Sequence, residues 1–148
     1  GTTQKSEDKK AKADMTNSQD TAKTAALSFL RLHPEYGVAA NDLQIKNIAF
    51  DVKKTGGPSG GMTFAIGVIE LLTKEDLLKG RHIAGTGTIS TDGKVGPIGG
   101  INLKILAAYK AGATLFLAPA GNSAEIEGVP AGIKVVIVAT LAEAMAAL

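Results

Sequence analysis

The sequence predicts an α+β domain of two layers, in which mixed sheets pack against helices. Segments whose apolar residues follow helical spacing alternate along the chain with short runs rich in β-branched residues. Loops containing glycine and proline separate these segments, which is typical of a domain built from short elements. The chain has 148 residues, of which 45% are hydrophobic, so it can bury one core. We therefore expect a single domain.

The composition argues against several classes of function. The formal net charge is +2, and two tyrosines and four phenylalanines are the only aromatic residues, so a basic stacking surface for nucleic acid is not expected. Cysteine is absent, and the two histidines, His33 and His82, are too few for most metal sites. No apolar run reaches membrane-spanning length. We expect no metal, no other cofactor and no nucleic-acid partner.

The N-terminal segment differs in composition from the rest of the chain. Residues 1–16 contain four lysines, three acidic residues and almost nothing apolar, which predicts a disordered linker or arm. The domain is therefore expected over residues 17–148. Its first element is an amphipathic helix that begins at Asn17 or Ser18 and ends before Pro34.

The remaining elements follow from periodicity and from turn residues. In chain order we predict a bulged strand between Leu43 and Val52, a buried helix over 59–72, a strand over 81–90, a hairpin turn at 92–93 with a short strand at 94–95, a helix over 101–111, strands over 114–119 and 135–138, and a helix from Thr140 through Ala147. Asn122 and Glu125, which follow the 114–119 strand, are interpreted as surface residues.

A glycine-rich loop, GGPSGGMT over 56–63, precedes the buried helix and carries one serine, Ser59. Ser59 is thereby placed at a helix N-terminus, where unpaired N–H groups and the helix dipole favour negative charge. The glycines allow another molecule to approach the backbone closely. Two interpretations follow: the loop binds an anion, or an oxyanion forms there during a reaction.

Lys104 is the candidate partner of this serine. It lies on the same helical stripe as Ile101, Ile105 and Ala108, so we expect the lysine to be buried. Burial disfavours the charged form of a lysine and produces a general base near neutral pH. A serine and a neutral lysine, together with an oxyanion hole, are sufficient for acyl transfer.

Three motifs indicate a family: GPSGGM around Ser59, GTGTIS around Thr86 and GKVGPIGGINLKILAAYKAGA around Lys104. Together they resemble the proteolytic domain of the Lon proteases, which are Ser-Lys endopeptidases, and within them the small bacterial Lon-like and PDZ-Lon-type proteins that have no ATPase module. The resemblance runs from about Phe50 to Leu148. It implies that Ser59 is the nucleophile, that Lys104 is the general base, and that Thr86 orients the lysine.

The resemblance also implies an activity and its partners. The expected function is ATP-independent hydrolysis of peptide bonds in proteins through an acyl-enzyme, with the oxyanion held by N–H groups of the loop around Ser59, for which Gly57 and Gly60 are the candidates. A protein or peptide substrate is expected, and a homo-oligomer stays open. Membrane contact is expected only through an anchor that precedes Gly1, which would make the location extracytoplasmic; otherwise it is cytoplasmic.

Two alternatives belong to other classes of function. The loop fits G-x-x-x-x-G, which suggests a phosphate- or nucleotide-binding module, but Met62 stands where a phosphate-binding loop has its lysine. The second alternative is a catalytically silent interaction domain with the same fold. Labelling of Ser59 by a fluorophosphonate would distinguish the enzyme from both.

Overall fold

The computed structural model describes residues 4–39, 60–73 and 76–148, with side chains from residue 17 onward. The helices are α1 (Gln4–Leu32), α2 (Gly61–Leu72), α3 (Ile101–Lys110) and α4 (Leu141–Ala146). The strands are β1 (Ile83–Gly85), β2 (Thr88–Ile89), β3 (Val95–Gly96), β4 (Leu115–Pro119) and β5 (Lys134–Val138). Short 3-10 helices cover Pro34–Tyr36 and Ala120–Glu125.

The described strands form two sheets of different kinds. Strands β1, β4 and β5 form a parallel sheet with β4 in the centre, and β2 and β3 form an antiparallel hairpin. Parallel neighbours require crossover connections, and the crossover between β1 and β4 contains both the hairpin and α3. The predicted combination of mixed sheets and helices is confirmed.

The central strand β4 divides the core into two clusters. Leu115 and Leu117 face a cluster that includes residues of α1, α2 and α4, whereas Phe116 and Ala118 face a cluster that includes Ile101 of α3. Successive side chains of a strand point to opposite faces of the sheet, so helices cover both faces. Helix α3 thus adds a layer to the two expected from the sequence.

Helix α1 begins much earlier than the sequence suggested. It starts at Gln4, so the predicted start at Asn17 or Ser18 is wrong. Residues 4–16 contain neither glycine nor proline, and their lysines and alanines favour helix, so nothing local interrupts it. The amphipathic pattern is confirmed by the buried positions Ala22, Ala25, Ala26, Phe29 and Leu30. The assignment of residues 1–16 as an arm outside the domain stays a prediction.

The segment predicted as one strand over 81–90 is two strands in different sheets. Strand β1 pairs with β4, whereas β2 pairs with β3. The chain changes direction at Gly87, whose φ of +148° is unfavourable for residues with a side chain. The predicted hairpin is confirmed, and Gly93 in its turn has a φ of +85°. The strand after the turn is Val95–Gly96, one residue later than expected.

The other described elements lie close to their predicted positions. The bounds of α2, α3, β4, β5 and α4 agree with the sequence to within a few residues. Thr140 caps α4 as predicted, because its side chain accepts a hydrogen bond from the N–H of Glu143 at 3.1 Å. The bulged strand expected between Leu43 and Val52 lies outside the described residues.

Two functional features are missing from the described part of the chain. No helix there is long and apolar enough to cross a bilayer. No group of three or more His, Cys, Asp or Glu side chains is suitably placed to hold a metal ion among the residues described.

Candidate active site

The N-terminus of α2 is fixed against the segment that follows β1. The N–H of Met62 donates a hydrogen bond to the carbonyl of Gly87 at 3.0 Å. The backbones approach closely because Gly61 has no side chain: a Cβ there would lie 3.0 Å from Ile89 Cγ2 and 3.1 Å from the Ile89 nitrogen. The start of α2, immediately after Ser59 in the sequence, therefore lies beside the residues that follow Thr86.

Thr86 is a buried residue at the carboxyl end of β1. Its side chain is 4% exposed, and its N–H donates to the carbonyl of Leu117 at 3.1 Å. Gly85 before it packs tightly, since a Cβ there would lie 3.1 Å from the Leu117 carbonyl oxygen and 3.2 Å from Met62 Cε. Thr86 is thus held between the central strand β4 and the first turn of α2.

Helix α3 brings Lys104 to the same edge of the sheet from the opposite face. Ile98, three positions before the start of α3, is hydrogen-bonded to Asn122, which follows the end of β4. The N-terminus of α3 therefore lies at the carboxyl end of the parallel strands, as does the N-terminus of α2. Lys104, in the second turn of α3, belongs to this edge.

The predicted burial of Lys104 is wrong, because its side chain is exposed. The buried residues of α3 are Ile101 and Ile105, which face the sheet. At about 100° of rotation per residue, Lys104 lies roughly 80° from the centre line between these two isoleucines. Helix α3 is an outer layer that buries only one narrow face, and Lys104 lies at the border of that face.

The electrostatic surroundings of Lys104 are correspondingly open. Its amine takes part in none of the hydrogen bonds or ion pairs formed among the described residues. Among the described residues, the carboxyl groups with altered pKa values lie in the β2–β3 hairpin and after α1. A hydrogen bond from Ser90 lowers the pKa of Asp92, and backbone and His33 hydrogen bonds lower the pKa of Glu35.

The structure describes only part of the residues predicted for the site. Ser59 and Gly57 lie outside the described residues. Gly60 is the buried N-cap residue of α2, and its carbonyl accepts a hydrogen bond from Thr63 Oγ1 at 3.0 Å. The oxyanion role of Gly57 and Gly60 stays a prediction, as do the catalytic roles of Ser59 and Lys104.

The structure places one polar residue differently from the interpretation preferred on the sequence. Asn122, interpreted above as a surface residue, is 1% exposed. No sequence signal could have revealed its burial, because Gly121 and Ser123 beside it are a small and a polar residue typical of a loop. Its burial results from contact with Ile98, which is 24 positions away in the chain.

Met62, which follows the glycine-rich stretch in the sequence, does not have the features of a phosphate-binding residue. Met62 occupies the position of the phosphate-binding lysine, and its side chain is fully buried in the core. Its N–H is already used by the Gly87 carbonyl, so it cannot donate to a phosphate. These contacts argue against the nucleotide-binding alternative.

Comparisons with known proteins agree with the motifs. The sequence pattern of the Lon protease (S16) C-terminal proteolytic domain matches residues 12–148. Lon protease 1 of Sorangium cellulosum is 37% identical over 131 residues, which cover 82% of this chain and 16% of the relative. Lon protease 2 of Herpetosiphon aurantiacus is 39% identical over 115 residues, covering 74% of this chain and 14% of the relative.

A third relative shows the same proportions. Lon protease of Clostridioides difficile is 35% identical over 123 residues, which cover 78% of this chain and 15% of the relative. The chain therefore spans roughly a seventh of the length of these proteases, and the match lies in the part that performs proteolysis.

Proposed function

Because this chain belongs to the family of Lon protease (S16) C-terminal proteolytic domains, we propose that it cleaves peptide bonds in proteins with Ser59 as nucleophile and Lys104 as general base. One structural observation carries the proposal. The N-termini of α2 and α3 reach the same edge of the parallel sheet, where buried Thr86 follows the end of β1. This arrangement supports a pairing of the serine that precedes α2 in the sequence with the lysine of α3.

The chemistry of such a pair needs a neutral lysine. The Lys104 amine accepts the proton of the Ser59 hydroxyl while the serine oxygen forms a bond to the carbonyl carbon of the substrate. The protonated amine then donates this proton to the leaving nitrogen, and the C–N bond breaks. An acyl-enzyme remains. Lys104 next takes a proton from the water that attacks the ester carbonyl. It returns this proton to the Ser59 oxygen as the ester C–O bond breaks, which releases the new carboxyl terminus and restores the serine hydroxyl.

The developing oxyanion needs N–H donors near Ser59. The N–H of Ser59 and one further N–H of the glycine loop, at Gly57 or Gly60, are the donors we propose, because a helix N-terminus leaves its first N–H groups without helical partners. The Met62 N–H is not among them, since it donates to Gly87. Each donor contributes about 3 kcal/mol to stabilisation of the transition state.

The direct test uses substitutions at both residues. We expect S59A, K104A and K104R to abolish cleavage of a fluorescently labelled unfolded protein, while K110A retains it. Lys110 is a matched control because it is an exposed lysine of the same helix. Circular dichroism should show that all variants are folded. Retained cleavage by S59A and by both Lys104 variants would refute the assignment.

A fluorophosphonate probe separates an enzyme from a silent domain of the same fold. We expect labelling of wild type at Ser59, slower labelling of K104A and none of S59A. Cleavage should proceed at equal rates with and without ATP and Mg²⁺, because we propose that this domain by itself does not depend on ATP. A folded wild type that is neither labelled nor able to cleave would support the silent interaction domain.

A homo-oligomer is a further part of the proposal. Helix α3 exposes Leu103, Leu106 and Tyr109 by 74%, 38% and 42%, and apolar side chains exposed together favour self-association. We expect light scattering coupled to size exclusion to give a mass that rises with protein concentration and falls in L103E. A monomeric mass at every concentration would exclude the homo-oligomer.

A further inference from the structure

Asn122 makes an unusual set of contacts for an asparagine in a loop. It is one of three buried polar side chains among the described residues, with Thr73 and Thr86. Its Oδ1 accepts the N–H of Ile98 at 2.9 Å, and its Nδ2 donates to the carbonyl of Ile98 at 2.8 Å. Nδ2 also lies 3.3 Å from Glu125 Oε1. The side-chain amide thus satisfies both backbone groups of one distant residue.

This pairing fixes the loop over 97–100 in space. Two parallel hydrogen bonds to one residue define its direction as well as its position, as in a ladder between strands. The first residue of this loop also packs closely against Gly121, because a Cβ on Gly121 would lie 3.0 Å from Pro97 Cβ. The loop before α3 is therefore attached to the segment that follows β4.

A backbone hydrogen bond connects this loop to Lys104. The N–H of Lys104 donates to the carbonyl of Gly100, the last residue of the loop, at 3.1 Å. Gly100 has a φ of +71°, so its backbone takes a conformation that other residues adopt only with strain. Lys104 is thus one hydrogen bond away from the loop that Asn122 holds.

A second asparagine strengthens the same attachment. Asn102, in the first turn of α3, donates from Nδ2 to the Glu125 carbonyl at 2.8 Å and accepts the N–H of Glu127 at 3.1 Å. Asn102 acts at the partly exposed side of α3, whereas Asn122 acts in the buried interior. The start of α3 is therefore attached to the 120–127 segment at two points.

We propose that Asn122 is a positioning residue for catalysis: by clamping Ile98 it fixes the N-terminal end of α3, and hence the Lys104 amine, relative to Thr86. This role rests on the proposed function of Lys104 as the general base. Reacting groups must be held within a fraction of an ångström, and a displacement of about 1 Å reduces the rate on the order of 10²-fold. A loosened loop would affect the chemical step more than substrate binding.

The test compares N122A and N122D with wild type and with N17D. N122A removes both hydrogen bonds. N122D keeps the shape and an acceptor for the Ile98 N–H, but its carboxylate cannot donate to the Ile98 carbonyl and is repelled by Glu125. N17D is the control, because it makes the same chemical change at an exposed position of α1.

Two measurements are needed, one of which is independent of activity. Hydrogen exchange of the full chain should be faster in N122A and N122D at the amides of residues 98–104, and unchanged at those of β1. With active sites titrated, kcat at a temperature well below unfolding should fall 10- to 100-fold while KM changes by less than about twofold. N17D should match wild type in both.

The outcomes separate this role from the proposed function. Unchanged exchange over 98–104 would overturn the clamp. Faster exchange with a lower Tm but an unchanged kcat per active site would show a purely structural residue and overturn the positioning role. A folded wild type without peptidase activity would refute the proposed function, and with it any catalytic role of Asn122. Faster exchange together with a lower kcat supports the inference.

Discussion

Replacement of Gly61 by alanine tests the close approach on which the proposed site depends. A Cβ at this position would lie 3.0 Å from Ile89 Cγ2 and 3.1 Å from the Ile89 backbone nitrogen. The side chain can adjust, but the nitrogen belongs to strand β2, which is paired with β3. We therefore expect the N-terminus of α2 to move away from the segment after Thr86 by a few tenths of an ångström.

The change in the free energy of unfolding of G61A is the sum of two opposing contributions. Overpacking of this kind costs about 1–3 kcal/mol, whereas loss of glycine reduces the entropy of the unfolded chain and stabilises by about 0.4–1 kcal/mol. G99A provides the matched control, because no atom lies within 4 Å of a Cβ there and its φ is not in the positive range. Both variants share the entropic gain, so their difference isolates the contact between Gly61 and Ile89.

Thermal unfolding followed by circular dichroism measures this difference. For a chain of this size 1 kcal/mol corresponds to about 2–4 °C, so G61A should have a Tm about 2–12 °C below that of G99A. Peptidase activity of G61A should also fall, because Ser59 precedes the helix that is displaced. A Tm of G61A equal to or above that of G99A would refute the close packing of α2 on β2.

Three further predictions concern Thr86, the hairpin and α4. T86V removes the hydroxyl that the family resemblance implies orients the lysine, and it should lower kcat about 3- to 10-fold, the equivalent of one ordinary hydrogen bond, with little change in Tm; an unchanged kcat would remove Thr86 from the site. Asp92 has a pKa below its ordinary value of 3.8, chiefly because Ser90 donates a hydrogen bond to it. The ionised carboxylate therefore stabilises the fold above pH 3.8, and this contribution is lost as the pH falls through the lowered pKa. D92N should therefore have a lower Tm than wild type at pH 7 and an equal one in strong acid; a Tm difference that does not change with pH would contradict this. T140A removes the cap on the Glu143 N–H and should cost about 0.5–2 kcal/mol in chemical denaturation, whereas an unchanged free energy of unfolding would show that α4 does not depend on its cap.

Elements whose signals are local were predicted well from the sequence. Helix α2 is apolar on nearly every side and begins after glycines, so periodicity and loop residues were enough to identify it. Thr140 is a similar case, because an N-cap depends on a residue and its neighbour three positions later. The family was identified in the same way, since its motifs are short continuous stretches.

Elements that depend on distant residues were predicted less well. The run over 81–90 has the pattern of one strand, but tight packing of Gly85 and a positive φ at Gly87 divide it between two sheets. Periodicity reports only which residues are apolar, and it contains no information about which sheet each half joins. The break places Thr86 at the end of a strand, beside α2.

The proposed catalytic site likewise has features that the sequence predicts and features that only the tertiary structure decides. Residue types and motifs in the sequence were enough to predict that a serine before a buried helix and a lysine in another helix are the reacting pair. The exposure of Lys104 and the burial of Asn122 were decided by tertiary structure alone. The spacing of apolar residues predicts which side chains share one face of a helix. The width of the face that is buried depends on the elements that pack against the helix. Here a single layer of sheet buries Ile101 and Ile105 and leaves Lys104 exposed at the border of the buried face.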